Sequence, residues 1–173
     1  MTSQIPQTMN FLSPAGFKFE IPKAPSFNYF IQAVDFPGII LPQMKAATPF
    51  ANLNIPAEHM QWEDLSVTFK LDEDLRGYFE IADWITALGR PENFDASKKL
   101  YENKSYNIDS VFNQCSLVIL NGNMQPNVQV DFYDVLPNKL SGFKMYSTAQ
   151  DINYITATLT LSYRQYKYSY VNQ

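Results

Sequence analysis

The segment from Ile152 to Tyr168, INYITATLTLSYRQYKY, limits the fold more than any other part of the sequence. Side chains in a strand alternate with period two. Ile155, Ala157, Leu159, Leu161 and Tyr163 therefore share one face, and Thr156, Thr158, Thr160 and Ser162 share the other. Ile152 and Tyr154 precede this run out of phase, and Tyr166, Tyr168 and Tyr170 follow it out of phase. A phase change of this kind marks a bulge or bend that re-aims the strand. A single strand of about 17 residues would extend for more than 50 Å, where an ordinary strand has about five or six residues. A chain of 173 residues has room for it only if the strand wraps a barrel or reaches onto a neighbouring subunit. Both arrangements favour an assembly protein over a small-molecule catalyst.

Composition agrees. The length suits one domain with a sizeable core. Charged residues make up 17%, below the roughly 25% of an average soluble domain, and aromatics reach 15%. A surface poor in charge and rich in Tyr, Asn, Gln and Thr resembles an interface; the plainer reading is a soluble β domain rich in tyrosine. The net charge is −4 and Lys98-Lys99 is the only adjacent basic pair. Clustered cations are needed to neutralise phosphates, so nucleic-acid binding is not expected. A single cysteine, Cys115, forms no internal disulfide and fits a reducing cytoplasm. No basic-plus-apolar leader opens the sequence and no run of about 18 apolar residues occurs, so the expectation is a soluble chain without the usual export signal.

Residues 1–16 read as an N-terminal arm. A strand over Phe17–Ile21 is broken by Pro22 and Pro25, a second is expected over Asn28–Phe36, and Pro37-Gly38 turns the chain. Ile39–Lys45 resumes extended structure, with Pro42 at an edge. Residues 46–62 contain two prolines and no clean period, yet carry Phe50, Leu53, Ile55, Met60 and Trp62. Solvent loops are seldom so apolar. Either this is an arm or hairpin that docks on another subunit, or it is a lid on its own core.

Leu65–Leu71 alternates cleanly. After Asp72-Glu73-Asp74, a helix is expected with Leu75, Tyr78, Phe79, Ala82, Ile85 and Leu88 on its apolar side, capped by the acidic triplet and ended by Gly89 and Pro91. Residues 92–112 read as a polar surface excursion. Further strands are expected over Ser116–Leu120, Val128–Tyr133 and Leu140–Tyr146, with turns at Asn121–Asn123 and Pro137-Asn138. The total is seven or eight antiparallel strands and one helix: a mainly β chain, a β-barrel or sandwich with one flanking α-helix.

Catalytic groupings are sparse. His59 is the only histidine, beside Glu58 and near Glu63-Asp64, and reads as a charge-paired surface residue. Cys115 begins an apolar strand and reads as a small buried residue. The acidic triplet lacks the ligand spacing and central glycine of a calcium loop. No phosphate-cradling loop exists among six glycines. No enzyme, cofactor or metal site is expected.

Several segments in order resemble the tail-tube family of contractile-tailed bacteriophages, including the baseplate proteins that initiate the tube. These are FPGI (Phe36–Ile39), an arm ending in IPA (Ile55–Ala57), WEDLSVTFKLDEDLRGYFEIADWI (Trp62–Ile85), LVILNGNMQPNVQVDFYDV and DINYITATLTLSYRQY. The likeness spans about Phe17 to Tyr168 and rests on the order of the segments. It implies one tail-tube-like domain at 17–168, followed by a short tail at 169–173. It also implies hexameric rings that stack into a tube, with sheath, baseplate and tape-measure proteins as partners. Genomic DNA would pass through the channel during ejection without specific binding. The location would be a virion tail assembled in the host bacterial cytoplasm, with no membrane contact. The type VI secretion ring protein shares this fold and remains a second reading; a small-ligand β-barrel module is a third.

A channel for DNA should lack cationic traps. Thr156, Thr158, Thr160 and Ser162, with Gln129 and Asp131, are accordingly candidates to face it, or else form an ordinary solvent face; Lys70 is discordant. Phe50, Leu53, Ile55, Met60, Tyr166 and Tyr168 are candidates for contacts between subunits.

Overall fold

A computed structural model of the chain describes residues 10–47, 50–56, 59–89, 113–147 and 154–171. The excursion expected at 92–112 and most of the N-terminal arm lie outside the described residues. Eleven strands and two helices follow in order among them: β1 (Phe17–Glu20), α1 (Pro25–Asn28), β2 (Ile31–Asp35), β3 (Ile39–Ile40), β4 (Gln43–Ala47), β5 (Asn52–Pro56), β6 (Gln61–Trp62), β7 (Leu65–Lys70), α2 (Arg76–Gly89), β8 (Asn113–Leu120), β9 (Pro126–Leu140), β10 (Thr156–Ser162) and β11 (Gln165–Tyr170).

Seven strands form one antiparallel sheet in the order β1-β8-β9-β10-β7-β2, with β11 also on β9. The chain is mainly β as expected, but the sheet does not close into a barrel. Its pivot is β9. The first part of β9 pairs with β8 and β11, and its end pairs with β10. The two halves fold over a common core. Phe19, Leu117, Val130 and Phe132 enter it from one half, and Leu65, Val67, Phe69, Ala157, Leu159 and Leu161 from the other.

Three strand expectations change. The segment 152–168 is not one long strand: β10 and β11 are separate, and the phase change after Tyr163 is where the chain passes from one half of the sheet to the other. No separate strand forms over Leu140–Tyr146, where β9 ends at Leu140. Instead β9 runs through Pro137-Asn138 without turning, because a bulge absorbs the proline that cannot donate to a ladder. Thr160 is opposite Lys139 and Leu161 opposite Pro137, which leaves Asn138 as the extra residue. The expected strand Asn28–Phe36 is shorter, since Pro25 starts the helical turn α1, a position where a missing N–H costs nothing.

The helix α2 forms where expected but turns a different face inward. Gly77, Ile81, Trp84 and Ala87 are buried, while Phe79 is 53% exposed. The reason is α1. A Cβ at Gly77 would lie 3.3 Å from Phe27 Cα, so α1 packs tightly on the bare backbone of α2 there. Glu80 accepts hydrogen bonds from Ser26 Oγ (2.7 Å) and Ser26 N (3.2 Å) and fastens the two helices. Phe27 then stacks edge-on against Phe69 of the sheet at 4.6 Å. Asp72 Oδ2 accepts the N–H of Arg76 at 3.0 Å, so the acidic segment does serve the helix start.

Candidate assembly surfaces

The segment between β2 and β7 leaves the core as a two-stranded ribbon. At its root, Ile39 pairs with Trp62 and Ile40 with Gln61; further out, Gln43–Ala47 pairs with Asn52–Pro56. Gly38 and Glu63 close the root, with Glu63 N donating to Gly38 O (3.1 Å) and Gly38 N donating to Glu63 Oε2 (3.1 Å). The expected hairpin therefore exists, and it is longer than 46–62. Phe50 is 98% exposed, and Leu53, Ile55 and Met60 are exposed as well, so these side chains are no lid on their own core. Ile39, Ile40 and Leu41, nearer the root, are exposed too, as is Met44, which lies opposite Ile55 in the ribbon. Sequence reasoning missed these four because it placed the start of the arm at 46; the apolar run Ile39-Ile40-Leu41 ahead of Pro42 was the available signal.

An aromatic cluster fixes the root to the sheet. The Trp62 ring lies 4.7 Å from Tyr166 and 6.2 Å from Tyr163, and Phe36 lies 5.3 Å from Tyr166. Phe132 completes the group, 5.0 Å from Tyr163. Tyr166 is thus largely engaged within its own chain, whereas Tyr168 is exposed and stacks edge-on with Tyr170 at 6.2 Å. The Tyr163 hydroxyl is buried without a hydrogen-bond partner among the described residues. Burial first, then the neighbouring Tyr166, Asp64 and Glu63, pushes its pKa up to about 12.

The candidates for a channel face fall on two surfaces. Thr156, Thr158, Thr160 and Ser162 lie on the outward side of β10, with Ser66, Thr68 and Lys70 of β7 beside them. Thr68 and Thr158 hydroxyls are 3.4 Å apart. Lys70 Nζ sits over the Tyr154 ring at 4.0 Å, which holds its charge against an aromatic face. Gln129 and Asp131 lie on the outward side of the other half. There Asp131 Oδ1 accepts from Ser116 Oγ (2.7 Å) and Gln129 Nε2 (2.9 Å). Since both halves turn their inner sides to one core, these two outward surfaces face apart.

The two side chains considered above for chemistry, His59 and Cys115, are not grouped with other such residues among those described. His59 is exposed. Cys115 is buried, and desolvation, with the Asp131 carboxylate adding to it, pushes its thiol far above the usual range, so it stays protonated. Among the described residues no group of three or more His, Cys, Asp or Glu side chains is placed to hold a metal. No helix among them is long and apolar enough to cross a membrane.

No protein-family model matches the sequence, and no curated protein matches it. Solved structures do match in fold. A chain of the anti-feeding prophage baseplate aligns with a TM-score of 0.59 at 13% identity, covering 91% of this chain and 93% of that one. The tube-terminating cap of the same system aligns with a TM-score of 0.66 at 10% identity over 99% of both chains. A chain of the sheath-tube complex of an extracellular contractile injection system, PVC, aligns with a TM-score of 0.59 at 13% identity over 94% of each. The chain has the tail-tube fold of contractile injection systems.

Proposed function

We propose that this chain is a non-enzymatic structural subunit of a phage-type contractile tail. It forms hexameric rings of the tail tube, or the ring that initiates the tube at the baseplate, and DNA passes through the channel during ejection. The observation that carries this reading is the hairpin. An isolated two-stranded ribbon is marginally stable in water, yet this one presents Met44, Phe50, Leu53, Ile55 and Met60 to solvent. Exposed apolar side chains gathered on one ribbon, with Met44 opposite Ile55, suit an interaction site, and a second copy supplies what the single chain lacks. The fold shared with tube, cap and baseplate components supports the reading.

In the ring, the uncharged face of Thr156, Thr158, Thr160 and Ser162 lines the channel, and Gln129 and Asp131 lie on the surface turned away from it. Sheath, baseplate and tape-measure proteins are the partners, in a virion tail built in the bacterial cytoplasm. Electron microscopy of the purified protein tests the central point: six-fold rings or tubes are expected, and a monodisperse monomer at high concentration overturns it. In assembled particles, Thr158→Lys with Thr160→Lys should leave assembly intact and slow DNA release; unchanged release removes these residues from the channel wall.

A further inference from the structure

The main sheet is open between its two edge strands. Among the described residues β1 pairs only with β8, and β2 only with β7, so each has one edge of unpaired backbone groups. Between them lies a groove of about 550 Å³ lined by both strands. Phe17, Phe19 and Ile31 contribute apolar side chains to its lining, and the exposed Lys18, Glu20 and Gln32 contribute polar ones. The turn α1 sits at one end of this seam, held there by Asn28, whose Oδ1 accepts from Ile21 N (2.9 Å) and whose Nδ2 donates to Ile21 O (3.1 Å).

An extended strand that enters this seam needs three properties. It needs a free edge, about four or five residues to match β1 and β2, and apolar side chains at every second position. β5 has all three. Among the described residues it pairs with β4 on one side only, it spans five residues, and Leu53 and Ile55 alternate with Asn52 and Asn54. All five residues of β5 are exposed, so its own chain does not fill the requirement. β4, QMKAA, alternates as well, with Met44 and Ala46 against Gln43 and Lys45, but Ala46 offers a single methyl group where Leu53 of β5 offers a branched side chain to bury.

We infer that the β1–β2 seam receives the free edge of β5 from a second copy of this chain. Leu53 and Ile55 turn toward Phe17 and Ile31, and Asn52 and Asn54 remain among Lys18, Glu20 and Gln32. Backbone pairing supplies the affinity and the alternating side chains set the register, as in other strand additions. Hairpin and seam are different surfaces, so the contact is head-to-tail, and it yields a ring where the rotation closes and a filament where it does not. This inference rests on the self-association proposed above and names the surface that accepts the arm.

Cross-linking tests it. Lys18→Cys, Gln32→Cys and Asn54→Cys place single thiols at exposed positions, and the native Cys115 is buried. Full-length Asn54→Cys is mixed with Lys18→Cys or Gln32→Cys under native conditions and treated with a short bismaleimide, while sedimentation velocity on the same samples reports assembly. Covalent dimers at least ten-fold above an Asn54→Cys plus Asn123→Cys control are expected. Assembled particles without cross-linking at either of these positions overturn the seam as the acceptor and leave self-association standing. Wild-type protein that stays monomeric throughout overturns both.

Discussion

Arg164 Nε lies 2.6 Å from Asp134 Oδ2, and this pair marks the place where β9 and the connection from β10 to β11 both pass from one half of the sheet to the other. Asp134 holds a left-handed backbone, with φ 57°, where β9 passes from one half of the sheet to the other. Directly across, Arg164 occupies the break between β10 and β11, and its N–H donates to Tyr133 O at 3.1 Å. Asp tolerates this conformation better than most residues, and a β-branched side chain tolerates it worst. Asp134→Val should therefore destabilise by about 1–3 kcal/mol through backbone strain. Asp134→Gly loses only a partly exposed ion pair and should stay within about 1 kcal/mol. Urea melts of the two variants measure the difference.

The rotation of α2 gives a second prediction. Phe79→Ala should change stability by less than about 1 kcal/mol, because the ring is largely exposed. Ile81→Ala removes a fully buried side chain and should cost about 2–5 kcal/mol. If Phe79→Ala proves the costlier in denaturant titrations, the helix presents its other face to the sheet.

At Gly77 two effects oppose each other. Alanine gains about 1 kcal/mol of helix propensity, but its Cβ meets Phe27 Cα at 3.3 Å and needs a small shift of α1. Gly77→Ala should be near neutral. Gly77→Leu cannot be accommodated by such a shift and should cost about 1–3 kcal/mol or more as overpacking. Thermal melts followed by circular dichroism check the order.

Alkaline stability should depend on Tyr163. Its folded pKa is raised to about 12, above the ordinary value of 10.0. The folded state therefore holds this proton more tightly than the unfolded chain does. The stability linked to it is fully present below about pH 10 and is lost as pH rises through 12. Tyr163→Phe should remove this loss and move the midpoint of alkaline unfolding upward, with little change at pH 7, since the hydroxyl has no partner among the described residues. An unchanged alkaline midpoint would assign that transition to other groups.

The strands were readable wherever one side of the sheet meets the core and the other meets solvent. In β7, Leu65, Val67 and Phe69 are buried while Ser66, Thr68 and Lys70 are not, so period two appears directly in the sequence. Where tertiary contacts outweigh local pattern, the reading diverged. Phe79 looked like a core residue, but a glycine two positions earlier admits α1 and turns the helix toward Ile81 and Trp84. Pro137-Asn138 looked like a turn, but a bulge lets β9 continue through it. The arm was legible as apolar sequence without a core period. Its root was not, because Trp62, Tyr163 and Tyr166 are brought together only by the folded sheet.

The central claim is that the hairpin joins one copy of the chain to the next. Replacing residues 48–60 with a short Gly-Ser linker and comparing sedimentation velocity with the full chain, while circular dichroism reports the fold, tests it most directly. The account predicts a folded monomer where the full chain sediments as rings or tubes. A shortened protein that still sediments as rings or tubes, or that unfolds, would contradict it.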